Sequence, residues 1–257
     1  MMKVIFVQHS CFVVEIENKV LIFDWFDKNR IAGYEFGGVM PQFSKDKDIY
    51  LFASHKHQDH FDLQSLKWIE KYPKMHFILS KDIRLGANYL KRNEIPENIK
   101  NYITFVKPLS TYEVGDLEIK TLNSTDAGVA FLVKANGQTI YHAGDLNDWS
   151  MEGAGDIING KMKRDYRRAL KELEGEHIDV AFVVLDARIG VHQFEGFDYF
   201  MQNVNADVIF PMHMWRDYSA IARYKAQSKN IRFIERIVDI TRENEEFDIE
   251  ESEFVEK

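Results

Sequence analysis

Three histidines and an aspartate lie within six consecutive positions of the chain, in the segment Ser54–His60, which reads S-H-K-H-Q-D-H. Imidazoles and carboxylates are ligands that suit zinc, iron or manganese, and the absence of thiolates argues against a closed structural zinc site. In an extended turn His55 and His57 can point the same way and bind one ion, while Asp59 and His60 can bind a second. The segment therefore predicts a metal centre, and the alternative is a polar surface loop with accidental histidines.

Two further residues that can bind metal follow apolar runs of the chain. Asp145 comes at a glycine turn after the run Thr139–His142, and His213 follows the run Val208–Phe210. The segment Ser54–His60 has the same setting, because it follows the apolar run Ile49–Ala53. Ligand sites in α/β sheets favour the carboxyl ends of strands. Asp145 and His213 are therefore candidates to complete the site, although either residue alone would be better explained as a cap or a surface side chain.

Short apolar runs predict the strands that position these residues. In the first half the runs are Val4–Val7, Phe12–Ile16, Val20–Phe23, Ile49–Ala53 and Phe77–Leu79. In the second half they are Ile103–Val106, Leu117–Leu122, Val129–Lys134, Thr139–His142, Val180–Leu185 and Val208–Met212. Helices are predicted over Asp62–Tyr72, Lys161–Glu174, Phe197–Asn203 and Asp217–Lys225. Strands followed by helices in each half predict an α/β fold with four layers, αββα.

Residues 1–240 are expected to form a single domain, followed by an acidic C-terminal tail over residues 241–257. Nine acidic and two basic side chains lie from Asp239 onwards, which accounts for most of the net charge of −8. The tail is interpreted as a solubilising, frayed terminus, with a docking tail as the alternative. Asp27–Asp48 has no regular pattern and contains three glycines, so a lid or a binding loop is expected there.

The composition excludes several classes of protein. The lone Cys11 allows no disulfide framework, and the nearly neutral body of the chain has no basic stripe beyond Lys161–Arg168, so binding to long nucleic acid is not expected. The chain shows no apolar run of about 20 residues, no signal-peptide pattern, no Walker loop, no Rossmann fingerprint and no serine-hydrolase elbow. A soluble, cytoplasmic protein without membrane contacts is expected; a homo-oligomer is left open.

Together these residues resemble the metallo-β-lactamase superfamily, in which His-x-His-x-Asp-His is followed by Gly-Asp and then by a distant histidine. Finer features resemble its branch containing ascorbate-6-phosphate lactonase and related predicted metal-dependent hydrolases. They are Gln8-His9-Ser10-Cys11-Phe12, Asp24, Ala143-Gly144-Asp145-Leu146-Asn147, Asp186-Ala187-Arg188 and Pro211-Met212-His213-Met214-Trp215. The resemblance covers roughly residues 3–225 and implies a four-layer αββα sandwich.

The resemblance also implies roles for individual residues. The implied ligands are His55 and His57 for a first metal ion, Asp59, His60 and His213 for a second, and Asp145 as a bridge between the two. Asp59 and Asp145 are the residues assigned catalytic roles. The residues expected around the ligands or against the substrate are His9, Asp24, Arg188 and Trp215. For His9 a structural hydrogen bond, for Arg188 a surface ion pair and for Trp215 simple packing are the alternatives.

The sequence departs from the superfamily pattern at one ligand of the first ion. A further histidine usually lies between the central motif and Gly144, but the region Leu122–Val129 contains none. We predict that Asp126 replaces it, which would make the first site harder and favour manganese or iron over zinc. The alternative is a first ion bound by two histidines and Asp145, weakly or not at all.

The predicted function is a metallo-hydrolase with two divalent ions, zinc or manganese, with iron left open. Metal-bound hydroxide would attack a small, anionic ester, lactone or phosphoester without a covalent intermediate. Two alternatives share the fold: a phosphodiesterase acting on small molecules or nucleotides, and a metal-binding module whose incomplete first site no longer catalyses. A mononuclear iron oxygenase is a further alternative.

Overall fold

The computed structural model describes residues 2–227 and 233–250 of the chain, and the strands in these ranges form two sheets. In chain order the strands are β1 (Met2–Gln8), β2 (Cys11–Ile16), β3 (Lys19–Phe23), β4 (Asp48–Ala53), β5 (Met75–Ser80), β6 (Ile103–Val106), β7 (Ser110–Val114), β8 (Leu117–Asn123), β9 (Val129–Ala135), β10 (Gln138–His142), β11 (Ile178–Val184), β12 (Ala206–Met212) and β13 (Glu245–Ile249). The first sheet has the order β13-β1-β2-β3-β4-β5-β6, and the second has the order β12-β11-β10-β9-β8-β7.

Helices cover the outer face of each sheet. The α-helices are α1 (Ala87–Arg92), α2 (Asp156–Leu170), α3 (Glu195–Asn203) and α4 (Ser219–Gln227). The 3₁₀ helices are Leu63–Glu70, Glu97–Tyr102, Lys171–Leu173, Ala187–His192 and Ile234–Arg236. Within residues 2–227 and 233–250, no helix is long and apolar enough to cross a membrane.

The strands of the first sheet are apolar on both faces, and this explains the layered fold. In β1, Val4 and Phe6 belong to the core between the sheets, whereas Ile5 and Val7 pack with Leu66 of the first 3₁₀ helix. The helices α2 and α3 pack on the other side of the second sheet. The structure therefore confirms the predicted αββα architecture.

Aromatic side chains fill the core between the two sheets. The rings of Phe12 and Phe182 lie 4.2 Å apart, and Phe23 stacks on the imidazole of His142 at 4.9 Å. Interlocked rings of this kind leave little free space, so they fix how the sheets face one another. The histidine in this stack precedes Gly144-Asp145, which connects the core directly to the predicted metal centre.

Parallel strands bring the predicted ligand segments to one edge of the sandwich. Strands β3 to β6 run parallel in the first sheet, and β10 to β12 run parallel in the second. At this edge the amide of Val129 donates to the carbonyl of Ser54 (3.0 Å), and the amide of His213 donates to the carbonyl of His9 (3.2 Å). The carboxyl ends of both sheets are therefore joined where the ligands lie.

Part of the segment predicted as an acidic tail forms an edge strand instead. Strand β13 pairs antiparallel with β1, with Met2 opposite Ile249 and Phe6 opposite Glu245. Phe247 and Ile249 pack against the core while Glu246 and Asp248 are exposed, a period-two pattern that the many charges concealed. The expected frayed terminus is therefore wrong for this strand. Residues 251–257 lie outside the described residues, and the division into one domain and a tail stays a prediction.

All four predicted helices differ in their bounds from the observed ones. The segment Asp62–Tyr72 contains a 3₁₀ helix from Leu63 to Glu70, capped by the Asp62 side chain, which accepts from the amide of Gln64. Helix α2 begins at Asp156, five residues before the predicted start; its first turn exposes Ile157 and Ile158 and is followed by Gly160, so it shows no buried apolar face.

We expect Phe182→Ala to lower the free energy of unfolding by about 3–5 kcal/mol, because it leaves a cavity among the rings between the sheets. The matched control is Phe105→Ala, since Phe105 lies in β6 with 41% of its surface exposed. Urea unfolding followed by circular dichroism measures both variants. Equal losses for the two variants would contradict this account of the core.

Candidate metal centre

The segment that follows β4 turns back on itself and presents its side chains at the edge of the sandwich. The amides of His60 and Phe61 both donate to the carbonyl of His57, at 3.1 Å each. This turn leads directly into the 3₁₀ helix, which is capped by Asp62. The turn explains how His57 can lie apart from His60 although the two are three residues apart in sequence.

The structure brings His55, His57, Asp126 and Asp145 together as a first group of ligand atoms, all within 4.8 Å of one another. The Nε2 atom of His55 lies 2.9 Å from Nδ1 of His57 and 3.2 Å from Oδ2 of Asp145. Asp126 Oδ2 lies 3.6 Å from Nδ1 of His57, and both of these side chains are 45% exposed. The carboxylate of Asp126 therefore belongs to the first group of possible ligand atoms, on its solvent side.

A second group consists of His9, Asp59, His60 and His213, whose ligand atoms also lie within 4.8 Å of one another. The Oδ2 atom of Asp59 is 3.3 Å from His9 Nε2, 3.7 Å from His60 Nε2 and 3.9 Å from His213 Nε2. The three histidines are buried, and the Asp59 side chain is only 15% exposed. The second group is therefore much less accessible than the first.

Asp145 lies between the two groups and turns one carboxylate oxygen to each. Oδ2 faces His55, while Oδ1 is 3.1 Å from His60 Nε2 and 3.3 Å from His213 Nε2. Its position depends on Gly144, whose φ is +51° and where a Cβ atom would lie 2.6 Å from the Cβ of Ser54. The arrangement matches what a bridging carboxylate requires.

Hydrogen bonds at the far side of the imidazole rings orient the histidines. The Nδ1 atom of His60 bonds Asp24 Oδ2 at 2.7 Å, and Nδ1 of His213 bonds Asp186 Oδ2 at 2.9 Å. The Nδ1 atom of His55 lies 2.9 Å from Ser54 Oγ, which itself donates to Asp24. Partners at Nδ1 leave Nε2 of each ring directed at the centre as the ligand atom.

Charge complementarity keeps the carboxylates of the centre ionised. Burial alone would raise the pKa of Asp145, but the imidazoles of His60 and His213 hold that pKa well below its usual range. Asp24 behaves in the same way: burial acts to raise its pKa, but His60, His142 and His55 together hold that pKa below its ordinary value. Burial acts to lower the pKa of His60, yet Asp145 and Asp24 together raise it well above its ordinary value.

Transition-metal ions fit this donor set. Within the described residues, His60 Nε2 and Asp145 Oδ1 are buried and make no hydrogen bond of acceptable geometry. Buried polar atoms without partners are rare in proteins, and here the two atoms lie 3.1 Å apart, where one metal ion would satisfy both. Nitrogen and carboxylate donors without thiolates suit zinc, manganese or iron.

The residues expected around the ligands lie next to them. The guanidinium of Arg188 stacks 4.0 Å over the ring of Trp215 and donates to Asp186. The Trp215 ring in turn lies 4.5 Å from that of His9. Asp186 therefore fixes both His213 and Arg188, a role that the sequence interpretation missed. Its position after β11 repeats that of Asp24 after β3, and this parallel was the available signal.

The segment before β13 holds the loop Asp27–Asp48 against the centre. The carboxylate of Glu243 accepts from the amide of Gly37 (2.7 Å), and the Asn244 side chain accepts from the amide of Val39 (2.7 Å). Residues of this loop contact the site, since the Tyr34 ring lies 4.4 Å from Trp215. The expected binding loop is thus attached to the C-terminal segment, which the sequence did not suggest.

Residues 3–155 match a family model described as a beta-lactamase superfamily domain. Two curated relatives, both named metal-dependent hydrolases, come from Korarchaeum cryptofilum (27% identical over 154 residues) and Pyrococcus furiosus (30% over 155 residues). Each match covers 56% of this chain, and it spans 60% and 62% of the relatives' own lengths. The solved structure of a metallo hydrolase from Ignicoccus hospitalis has a TM-score of 0.59 at 15% identity, covering 97% of this chain and 99% of that one. This last likeness supports the fold.

We expect Glu243→Ala to speed tryptic cleavage within the loop Asp27–Asp48 by about tenfold or more, because the variant loses the hydrogen bond from the Gly37 amide to a charged carboxylate, worth roughly 1.5–3 kcal/mol. Glu246→Ala is the matched control, since it removes the same side chain from the neighbouring strand, where Glu246 pairs with Lys3. Timed digestion with mass spectrometry measures the cleavage. If both variants are cut at the same rate, Glu243 does not hold the loop.

Proposed function

This chain belongs to the beta-lactamase superfamily, and we propose that it is a metal-dependent hydrolase with two divalent ions bound on either side of Asp145. The observation that carries the proposal is the position of this carboxylate, whose two oxygens face two separate groups of ligand atoms. The names of the two relatives support a hydrolase, although each match spans less than two thirds of the relative.

The two groups of residues would each bind one ion at such a centre. His55, His57 and Asp126 would hold the first ion, and Asp59, His60 and His213 the second. Two bound ions would supply a hydroxide nucleophile from water at neutral pH and polarise the bond that is cleaved. Asp145 would hold the ions at a fixed separation, while its negative charge offsets their mutual repulsion. We assign catalytic roles to Asp145 and Asp59, because each carboxylate belongs to a group of ligand atoms that would hold an ion.

We propose that Asp126 takes the place of the histidine that the superfamily usually has in the first site. Its carboxylate lies in the first group, 3.6 Å from His57, and no other part of Leu122–Val129 contributes to either group. A third ligand there argues against a metal-binding module with an incomplete first site. Since a carboxylate is a harder ligand than imidazole, manganese or iron is favoured over zinc at this position.

A small, anionic ester, lactone or phosphoester is the substrate class that the surroundings favour. A cavity of about 520 Å³ adjoins the ligand turn at Lys56 and Phe61, although no ligand residue lines it; its other charged residues are Lys81, Asp82 and Arg84. This volume is in the range of small-molecule sites. Arg188, fixed by Asp186 and stacked on Trp215, provides a further cation near His213. The resemblance to the ascorbate-6-phosphate lactonase branch, which also implies an anionic substrate, stays a prediction.

The basic lining of this cavity favours one second candidate, a phosphodiesterase for small molecules or nucleotides. A phosphodiester carries the same single negative charge that a lysine or arginine recognises. The two candidates separate in their kinetics: kcat/KM for phosphodiesters should exceed that for carboxylic esters and lactones in a phosphodiesterase. A panel of small lactones, aryl esters and aryl phosphodiesters distinguishes them.

The metal content of Asp126→Ala tests the ligand assignment. We expect about two ions per chain for the wild type and about one for the variant, since one ion loses its third ligand besides the shared Asp145. Asp165→Ala is the control, because Asp165 is a surface carboxylate of α2 that pairs with Lys161. Elemental analysis of tag-free protein purified without chelators gives the stoichiometry. Unchanged metal content in Asp126→Ala would remove Asp126 from the site.

The activity of Asp145→Ala tests the function itself. We expect at least a hundredfold loss of kcat/KM, about 2.7 kcal/mol or more of transition-state stabilisation, on whichever substrate of the panel the wild type cleaves. The variant should keep its folded far-ultraviolet circular dichroism spectrum. Turnover close to that of the wild type would refute the proposed role of Asp145, and a wild type that cleaves nothing in any metal-loaded form would refute the hydrolase.

A further inference from the structure

The imidazole of His9 is buried beside the second group and is not used by the ligand set that the family resemblance implies. His9 lies in the turn between β1 and β2 with a φ of +50°, a left-handed conformation that costs free energy in a non-glycine residue. Its carbonyl accepts the amide of His213, so the turn is tied to the end of β12. A strained, buried histidine at this place calls for an explanation.

Both ring nitrogens of His9 lack a hydrogen bond to any of the described residues. The side chain is completely buried, and the aromatic rings of Phe36 and Trp215 lie against it at 5.6 and 4.5 Å. These surroundings offer no carbonyl or hydroxyl partner, in contrast to His142, which bonds the carbonyl of Ser10. A buried imidazole without partners is costly unless something else satisfies it.

Several polar side chains close to His9 belong to the metal centre. Nε2 of His9 lies 3.3 Å from Asp59 Oδ2, and its ring centroid lies 4.3 Å from that of His213. The ligand atoms of His9, Asp59, His60 and His213 are mutually within 4.8 Å, a spacing that a single ion between them can serve. We infer that His9 is itself a metal ligand. Together with Asp59, His60 and His213 it would bind the second ion alone, in addition to the shared Asp145.

With Asp145 as bridge, this assignment gives the second site five protein donors and the first site four. The second site is also the buried one, whereas His57 and Asp126 of the first site are nearly half exposed. A site rich in protein donors has fewer positions left for water or substrate. The second ion is therefore the more tightly bound. The ion of the first site exchanges more readily and keeps coordination positions free for water or substrate. This inference rests on the proposed binuclear centre.

The test is metal binding to His9→Gln, measured without any substrate. Metal-free protein is titrated with Zn²⁺ against a chelator of known affinity, and with Co²⁺ followed by its visible absorption. The wild type should bind two ions with clearly separated affinities. In His9→Gln the tighter binding should weaken by more than about tenfold, because even residues that only orient metal ligands change affinity by 10–100-fold, while the weaker binding stays. The Co²⁺ spectrum of the tight site should change with the loss of a nitrogen ligand.

A second variant and a control separate ligation from a structural role. In His9→Ala, free imidazole in the buffer should restore the tight binding, because it can fill the space left by the side chain. His76→Gln should leave both affinities unchanged, since His76 lies in β5, stacked on Tyr50. Wild-type affinities and an unchanged Co²⁺ spectrum in His9→Gln would overturn the inference alone. Weakened binding that imidazole does not restore in His9→Ala would also overturn it, in favour of a structural role. A wild type that binds no ion would overturn the proposed function as well.

Discussion

A carboxylate buried among imidazoles, that of Asp145, is the constraint on which the rest of this structure depends. Transferring a carboxylate out of water is costly unless positive charge or hydrogen bonds replace the lost hydration. Here the replacement comes from His55 and His60 in the turn after β4 and from His213 at the end of β12, which approach its two oxygens. These segments can converge only if the carboxyl ends of the parallel strands in both sheets meet at one edge of the sandwich. The site therefore requires the same arrangement of sheets that the αββα architecture provides.

The surrounding residues are arranged to keep that carboxylate and its imidazoles in place. Asp24 and Asp186 hold the outer nitrogens of His60 and His213, and both aspartates are completely buried. Asp24, His9 and His213 all adopt left-handed backbone conformations. Strain of this kind persists only where the surrounding contacts determine the structure. The centre is therefore preorganised by its second layer of contacts as much as by the ligands.

The sequence was sufficient for the architecture and for the clustering of His55, His57, Asp59 and His60, because each carries a local signal. The apolar runs before His55, Asp145 and His213 predicted strands, and all three runs are strands. The spacing of His-x-His-x-Asp-His and its place after a strand predicted a cluster, and the structure brings those four side chains to one edge. Asp126 could be selected because no other strong ligand lies in its segment.

The remaining features depend on contacts between distant parts of the chain, and these have no local signal. The surroundings of His9 are set by the Asp27–Asp48 loop and by the end of β12, so its lack of partners was not visible in Gln8-His9-Ser10. Strand β13 was concealed because its acidic residues suggested a solvated tail, while its pairing partner β1 lies more than 200 residues earlier. The role of Asp186 likewise depends on its hydrogen bond with His213, a residue that is distant in sequence.

A crystal structure of the protein purified without chelators, with anomalous scattering recorded on both sides of the metal absorption edges, tests the binuclear centre most directly. The account predicts two anomalous peaks, one between His57, Asp126 and Asp145 and the other between Asp145, Asp59 and His213. A single peak, or peaks that do not contact Asp145, would contradict it.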